Sequence, residues 1–163
     1  MFFKLDEEIY FPDPRLIPDN LRDADNIYAI GGDIEPLRLY EASKKGIFPW
    51  NAYYCDMKVW YCPMTRFVIF PDEIHISHSM KQTLKSGRYT VTIDQAFDRV
   101  VVNCGMPRIN EDGAWLGPKL MDSVSKLHKM GYAHSVEVWE DDELVGGLYG
   151  EFSDGCFFGE SMF

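Results

Sequence analysis

Three groups of residues in this 163-residue chain have types and settings suited to chemistry. Trp50 and Trp115 both lie in Gly- and Pro-bearing loops, in GIFPW and in the stretch 105–117. Two indoles held in loops can sandwich a planar ring, each stack contributing roughly 1–3 kcal/mol, whereas an isolated tryptophan more commonly anchors a core. Glu160 interrupts the apolar run CFFGESMF, where a carboxylate needs a compensating partner or a task. Lys81, Lys85 and Arg88, with His75 and His78, fall in a stretch from 74 to 93 that holds no acid, although the whole chain carries a net charge of −10. Such a charge argues against a protein that coats nucleic acid, but a local basic strip can grip a few phosphates. A solvated helix face would carry the same lysines.

Metal chemistry has no framework here. Cys55, Cys62, Cys104 and Cys156 form no CxxC pair, and His75, His78, His128 and His134 complete no zinc-ligand spacing with them. The four cysteines are read as free thiols, mostly buried, in a reducing cytoplasm. The sequence lacks a run of about 18 apolar residues, and its acidic start, MFFKLDEEIYF, is unlike a secretion signal. A soluble cytoplasmic protein away from membranes is expected.

The elements that must position these residues fall into two regions. Residues 1–63 are rich in Pro, Gly and aromatics and read as a small irregular N-terminal domain with one helix, opened by Pro36 and stopped by Gly46. Residues 64–163 carry regular signals. TRFVIFP reads as a strand, Ser77 as the cap of a helix through Lys85, RYTVTI as a strand, and Asp94 as the cap of a helix with Phe97, Val100, Val101 and Cys104 on one face. Pro118 opens a longer helix striped with Leu120, Met121, Val124, Leu127 and Met130, which Gly131 ends. The tail then changes to period two: HSVEVWE, ELVGGLYGEF and CFFGESMF, joined by Asp141-Asp142 and Ser153-Asp154-Gly155, read as three antiparallel strands. The fold class expected is α+β with a mostly antiparallel sheet. The last strand, with Phe157, Phe158, Met162 and Phe163, leaves an apolar face that calls for cover.

Seven strings in series carry a resemblance: FPDP at 11–14, AIGGD at 29–33, GIFPW at 46–50, HISHSMK at 75–81, HSVEVW at 134–139, ELVGGLYG at 143–150 and FGESMF at 158–163. Together they resemble the leucyl/phenylalanyl-tRNA–protein transferase family. The resemblance implies that 64–163 is an N-acyltransferase (GNAT-like) domain, truncated at its C-terminus. It further implies transfer of Leu, Phe or Met from aminoacyl-tRNA to acceptor proteins with N-terminal Arg or Lys, marking them for N-end-rule degradation. No cofactor and no metal are expected, because an aminoacyl ester is already activated. The reaction needs a neutral amine, a positioned ester and donors for the developing oxyanion.

By the same resemblance, Trp50 and Trp115 match tryptophans that sandwich the terminal adenosine. Leu148, Phe157 and Met162 match the apolar amino-acid pocket, with Leu148 where the family often has Met. Glu160 matches a glutamate near the reaction centre, the candidate catalytic residue, which orients a polar relay or meets the acceptor's basic N-terminal residue. Lys81, Lys85 and Arg88 correspond in kind to tRNA-binding residues, and His78 stands where Arg is frequent. The family's aspartate–glutamine pair that handles the amine proton has no counterpart within 1–163, so this chain alone is expected not to catalyse transfer. Two other readings stay open: an acyl-CoA-dependent N-acetyltransferase, which would need a Gly-rich pyrophosphate loop, and a non-enzymatic aminoacyl-tRNA-binding module.

Overall fold

A computed structural model describes residues 2–107 and 116–163. The chain forms a mixed α and β structure with two four-stranded sheets. The first sheet comprises β1 (Phe3–Leu5), β2 (Ile27–Gly31), β3 (Phe48–Tyr54) and β4 (Met57–Tyr61) in the order β1-β2-β4-β3, with β1 parallel to β2 and the other pairs antiparallel. Helix α1 (Pro36–Ser43) joins β2 to β3; its Pro36 stands in the first turn, and Gly46, at φ +69°, reverses the chain after it.

The N-terminal region is therefore more ordered than its irregular composition suggests. Its strands are short and interrupted by Gly and Pro, so they carry little period-two signal. Side chains bonded to backbone carbonyls take over much of the fastening. The guanidinium of buried Arg38 donates to the Glu8 and Asp6 carbonyls at 2.8 and 2.9 Å and to Asp33 at 3.2 Å. Trp60, fully buried against Phe11 at 5.0 Å, donates its indole N–H to the Gly31 carbonyl at 2.9 Å. The AIGGD string serves this fastening: Gly31 adopts φ +87°, and a Cβ there would stand 2.9 Å from the Leu5 carbonyl oxygen.

The second sheet contains β5 (Tyr89–Ile93), β6 (Ala133–Glu140), β7 (Glu143–Ser153) and β8 (Cys156–Met162), antiparallel throughout and in sequence order. Helices α3 (Phe97–Cys104) and α4 (Pro118–Lys129) cover one face, burying Phe97, Val100, Val101, Cys104, Leu120, Val124 and Leu127. These stripes agree with the periodicity expected, except that Met130 lies past the end of α4 and is exposed. The buried cluster continues into α1 and the first sheet, and Tyr40 stacks on Tyr132 at 4.0 Å across the junction.

Three sequence expectations are corrected. TRFVIFP is not a strand: Pro63 and Pro71 bracket it, β5 ladders with β6 instead, and Phe67 stands 93% exposed. A β-prone run without a ladder partner does not become a strand. The N-cap of α3 is Ala96 rather than Asp94. Asp94 instead bonds the Ser135 amide at 2.8 Å and His134 at 2.7 Å. At the head of α3, buried Glu137 accepts from the Gln95 and Ala96 amides at 3.4 Å each and from the hydroxyls of Thr92 and Ser135. Finally, the thiols are not mostly buried: Cys55 and Cys156 are exposed, Cys62 is intermediate and Cys104 is buried.

Candidate functional site

Helix α1, the start of β3, helix α4 and strands β7–β8 converge on a small cavity. Ser43 comes from α1, Phe48 and Pro49 from β3, Leu120 and Val124 from α4, Tyr149 and Glu151 from β7, and Glu160 from β8. Its walls are apolar apart from Ser43, the Tyr149 phenol and the two carboxyls. Glu160 reaches it because of a register shift: Tyr149 pairs with Ser161 but Gly150 pairs with Gly159, so Glu160 is the extra residue of a bulge. In uninterrupted alternation from Met162, Glu160 would share the opposite face with Leu148. The bulge turns it to the side of Tyr149 and Glu151.

Burial dominates the electrostatics of this cavity. Glu160 is part-exposed as a residue, yet its carboxyl lies deep enough that burial pushes its pKa up to about 7, with the Arg66 guanidinium pulling the other way. Glu151 is 5% exposed; burial, then the charge of Glu160, pushes it up to about 8, opposed by a hydrogen bond from Ser43. Its Oε2 has no hydrogen-bond partner among the described residues. Burial and the neighbouring Glu160 also raise the Tyr149 phenol well above its ordinary value.

Aromatic residues adjoin the cavity. Trp50, expected in a loop, lies instead on β3, where it is 54% exposed with its ring 6.4 Å from Phe48 and 5.9 Å from Tyr61. Arg66 lies 5.0 Å over the Phe48 ring and donates to the Gly46 and Pro63 carbonyls. Trp50, Arg66 and Glu160 thus gather around Phe48, a charged and stacking surface at one end of the cavity. Trp115 falls outside the described residues.

The other face of the second sheet holds the expected pocket residues. Leu148 pairs with Met162, and Phe157 pairs with Phe152. Between them the sheet is bare backbone: a Cβ at Gly150 would stand 2.6 Å from the Phe157 ring, and one at Gly159 3.5 Å from Leu148. Leu148 and Phe157 therefore border a strip floored by Gly150 and Gly159, with Met162 beyond it, exposed, and lining a shallow depression with Met106 and Phe163. Phe157 and Phe163 are also exposed.

The basic residues are dispersed in role. Helix α2 (His78–Lys85), capped by Ser77, which accepts from the Met80 amide, buries none of its residues and presents Lys81 and Lys85 to solvent. The Arg88 guanidinium is occupied by Glu140, at 2.5 and 3.1 Å.

Sequence reasoning singled out Glu160 but not its neighbours Glu151, Tyr149, Ser43 and Arg66. A signal for Glu151 existed: in GLYGEFS it alternates with Tyr149 and Ser153 on the inward side of a strand, where a lone carboxylate is out of place. Among the described residues, no group of three or more His, Cys, Asp or Glu side chains could hold a metal ion, and no helix is long and apolar enough to cross a membrane.

An α and β fold with a mostly apolar cavity that holds two carboxyls beside an exposed tryptophan defines a class of proteins with a pocket set between a sheet and its flanking elements. Comparison narrows it. The profile of the leucyl/phenylalanyl-tRNA protein transferase family matches residues 68–163. Similar relatives named leucyl/phenylalanyl-tRNA–protein transferase include that of Anaeromyxobacter sp., 45% identical over 162 residues, covering 99% of this chain and 66% of the relative. That of Syntrophus aciditrophicus is 46% identical over 160 residues, covering 98% and 64%. That of Cellvibrio japonicus is 46% identical over 154 residues, covering 94% and 63%. The chain belongs to the leucyl/phenylalanyl-tRNA–protein transferase family. It spans just under two thirds of the length of these relatives.

Proposed function

We propose that the chain provides the aminoacyl-tRNA side of an aminoacyltransferase that moves Leu, Phe or Met from tRNA to the N-terminal Arg or Lys of cytoplasmic acceptor proteins, marking them for N-end-rule degradation. Residues 1–63 form its small N-terminal domain, and residues 64–163 belong to a GNAT-like domain. The observation that supports this reading most is the bulge that places Glu160 in a cavity beside Phe48, Trp50 and Arg66. Family membership supplies the reaction class.

In this reading the acceptor's amine attacks the carbonyl carbon of the aminoacyl ester; the new C–N bond forms as the bond to the ribose oxygen breaks, and the proton shed by the amine ends on that oxygen as a ribose hydroxyl. An α-amine has a pKa of about 8, so a modest base or relay suffices to move its proton. Glu160 orients that polar relay or meets the acceptor's basic N-terminal residue. Trp50, with Trp115, stacks the terminal adenosine. Leu148, Phe157 and Met162 receive the transferred side chain over the Gly150 and Gly159 floor. Lys81 and Lys85 contact tRNA phosphates, with Arg88 joining if it exchanges Glu140 for a phosphate.

The test is transfer of labelled Leu from leucyl-tRNA to a peptide beginning with Arg, using the full-length gene product. Label appearing on that peptide, and not on one whose N-terminus is acetylated, supports the reading. Tight leucyl-tRNA binding with no peptide product would replace it with a binding module.

A further inference from the structure

Glu151 shares the cavity with Glu160, and the proposed transfer gives it no task. Its carboxyl is buried, its Oε2 lacks a partner, and among the described residues neither glutamate joins an ion pair. The positive charge that reaches the cavity is Arg66, already bonded to the Gly46 and Pro63 carbonyls and lying over Phe48, and it acts on Glu160. The remaining groups that face the pair are the Tyr149 phenol from β7 and the Ser43 hydroxyl from α1; α4 contributes Leu120 and Val124, and β3 contributes Phe48 and Pro49. Ser43 also donates to the Tyr40 carbonyl at 3.0 Å, so its single proton cannot serve Glu151 fully. Two carboxylates walled in by such groups do not both stay ionised.

We propose that Glu151 and Glu160 hold one proton between them, making Glu151 a positioning residue that fixes the charge and orientation of the Glu160 carboxyl. The proposal rests on the reading of Glu160 as the site's acidic group. The protonated member donates its O–H to an oxygen of the other, the cavity carries one negative charge near neutral pH, and the orphaned oxygen of Glu151 gains its partner. Both groups are displaced upward, and the charge of Glu160 adds to burial at Glu151, the direction a shared proton requires.

The experiment is a carboxyl-carbon NMR titration of the full-length protein labelled at glutamate, beside Glu151→Gln and Glu160→Gln. In the parent the two carboxyls titrate together in two steps. In Glu151→Gln, Glu160 titrates in a single step, and the second, higher step of the pair is gone. In Glu160→Gln, Glu151 titrates in one step with its midpoint lower by about one unit or more, since the like charge of Glu160 has gone, and this variant serves if the first fails to fold. A Glu151 midpoint in folded Glu160→Gln equal to that of the parent, or a two-step titration of Glu160 persisting in folded Glu151→Gln, would overturn the proposal, as would failure of both variants to fold where the parent does, since packing alone would then explain the pair. The step in the transfer rate that follows the second ionisation of the pair also disappears from the pH profile of Glu151→Gln, which a purely structural role would not produce. The NMR readout does not depend on transfer, so a coupled titration in a protein without transferase activity would sink the functional reading and leave the pair standing.

Discussion

Tyr149 on β7 stands opposite Ser161 on β8, while the next residue, Gly150, stands opposite Gly159; Glu160 is displaced from the ladder between them. This one-residue shift decides which side of the sheet the site's acid occupies. Gly150 is held in the shift by contact: a Cβ there would lie 2.2 Å from the Phe158 carbonyl oxygen and 2.6 Å from the Phe157 ring. Gly150→Ala should therefore lower stability by roughly 1–3 kcal/mol and disturb the titration of Glu160. Urea unfolding of the variant at constant m-value measures the first effect; stability equal to the parent would show that the strands slide apart at little cost.

The carboxyl pair makes a signed prediction about pH. Both groups have folded-state pKa values above the ordinary range for glutamate, at about 8 and about 7, so the folded chain binds more protons than the unfolded one in the interval between. Their contribution to stability is fully present below about pH 4 and is lost as pH rises through 7 to 8. Glu151→Gln should flatten this decline by on the order of 2 kcal/mol. Chemical denaturation at pH 5 and pH 9 tests it, and equal declines in parent and variant would count against a buried, coupled pair.

Trp50 is exposed and buries little area against Phe48 and Tyr61, so its removal should spare the fold. Trp50→Ala is expected to weaken binding of a 3′-aminoacyl-adenosine analogue by roughly 1–3 kcal/mol with Tm nearly unchanged, and Trp115→Ala to do likewise. Calorimetric titration at one salt concentration gives the answer. Undiminished affinity in both variants would remove stacking from the account.

The architecture of the second sheet was legible because its signals are local: Pro118 and Gly131 bound α4, and Asp141 and Asp154, at φ +51° each, make the turns on either side of β7. The first sheet was not, because β1 and β2 are joined in parallel across more than twenty residues, and Arg38 ties the Asp6 and Glu8 carbonyls down from thirty or more positions away. Glu160 stood out as a charge in an apolar run. Its orientation could not be read, since a bulge appears only when two strands are laid side by side. Arg88 looked like a free phosphate ligand until Glu140, 52 residues distant, was placed beside it.

Lys81 and Lys85 project from a helix that buries nothing, and Arg88 is ion-paired. Lys81→Ala with Lys85→Ala should lower tRNA affinity and reduce the salt slope by about one to two phosphate contacts, while leaving a minimal aminoacyl-adenosine substrate unaffected. Arg88→Ala should have a smaller effect on the slope than the paired lysines. Binding measured from low to moderate salt separates these cases; equal losses for tRNA and for the minimal substrate would assign the lysines to folding instead.

The most direct test of the account is single-turnover transfer of Leu from leucyl-tRNA to an Arg-initiated peptide by the full-length protein and its Glu160→Gln variant. The account predicts transfer by the parent and a loss of about 100-fold or more in the variant, with affinity for the aminoacyl-adenosine analogue retained. Transfer by Glu160→Gln at the parental rate would contradict it.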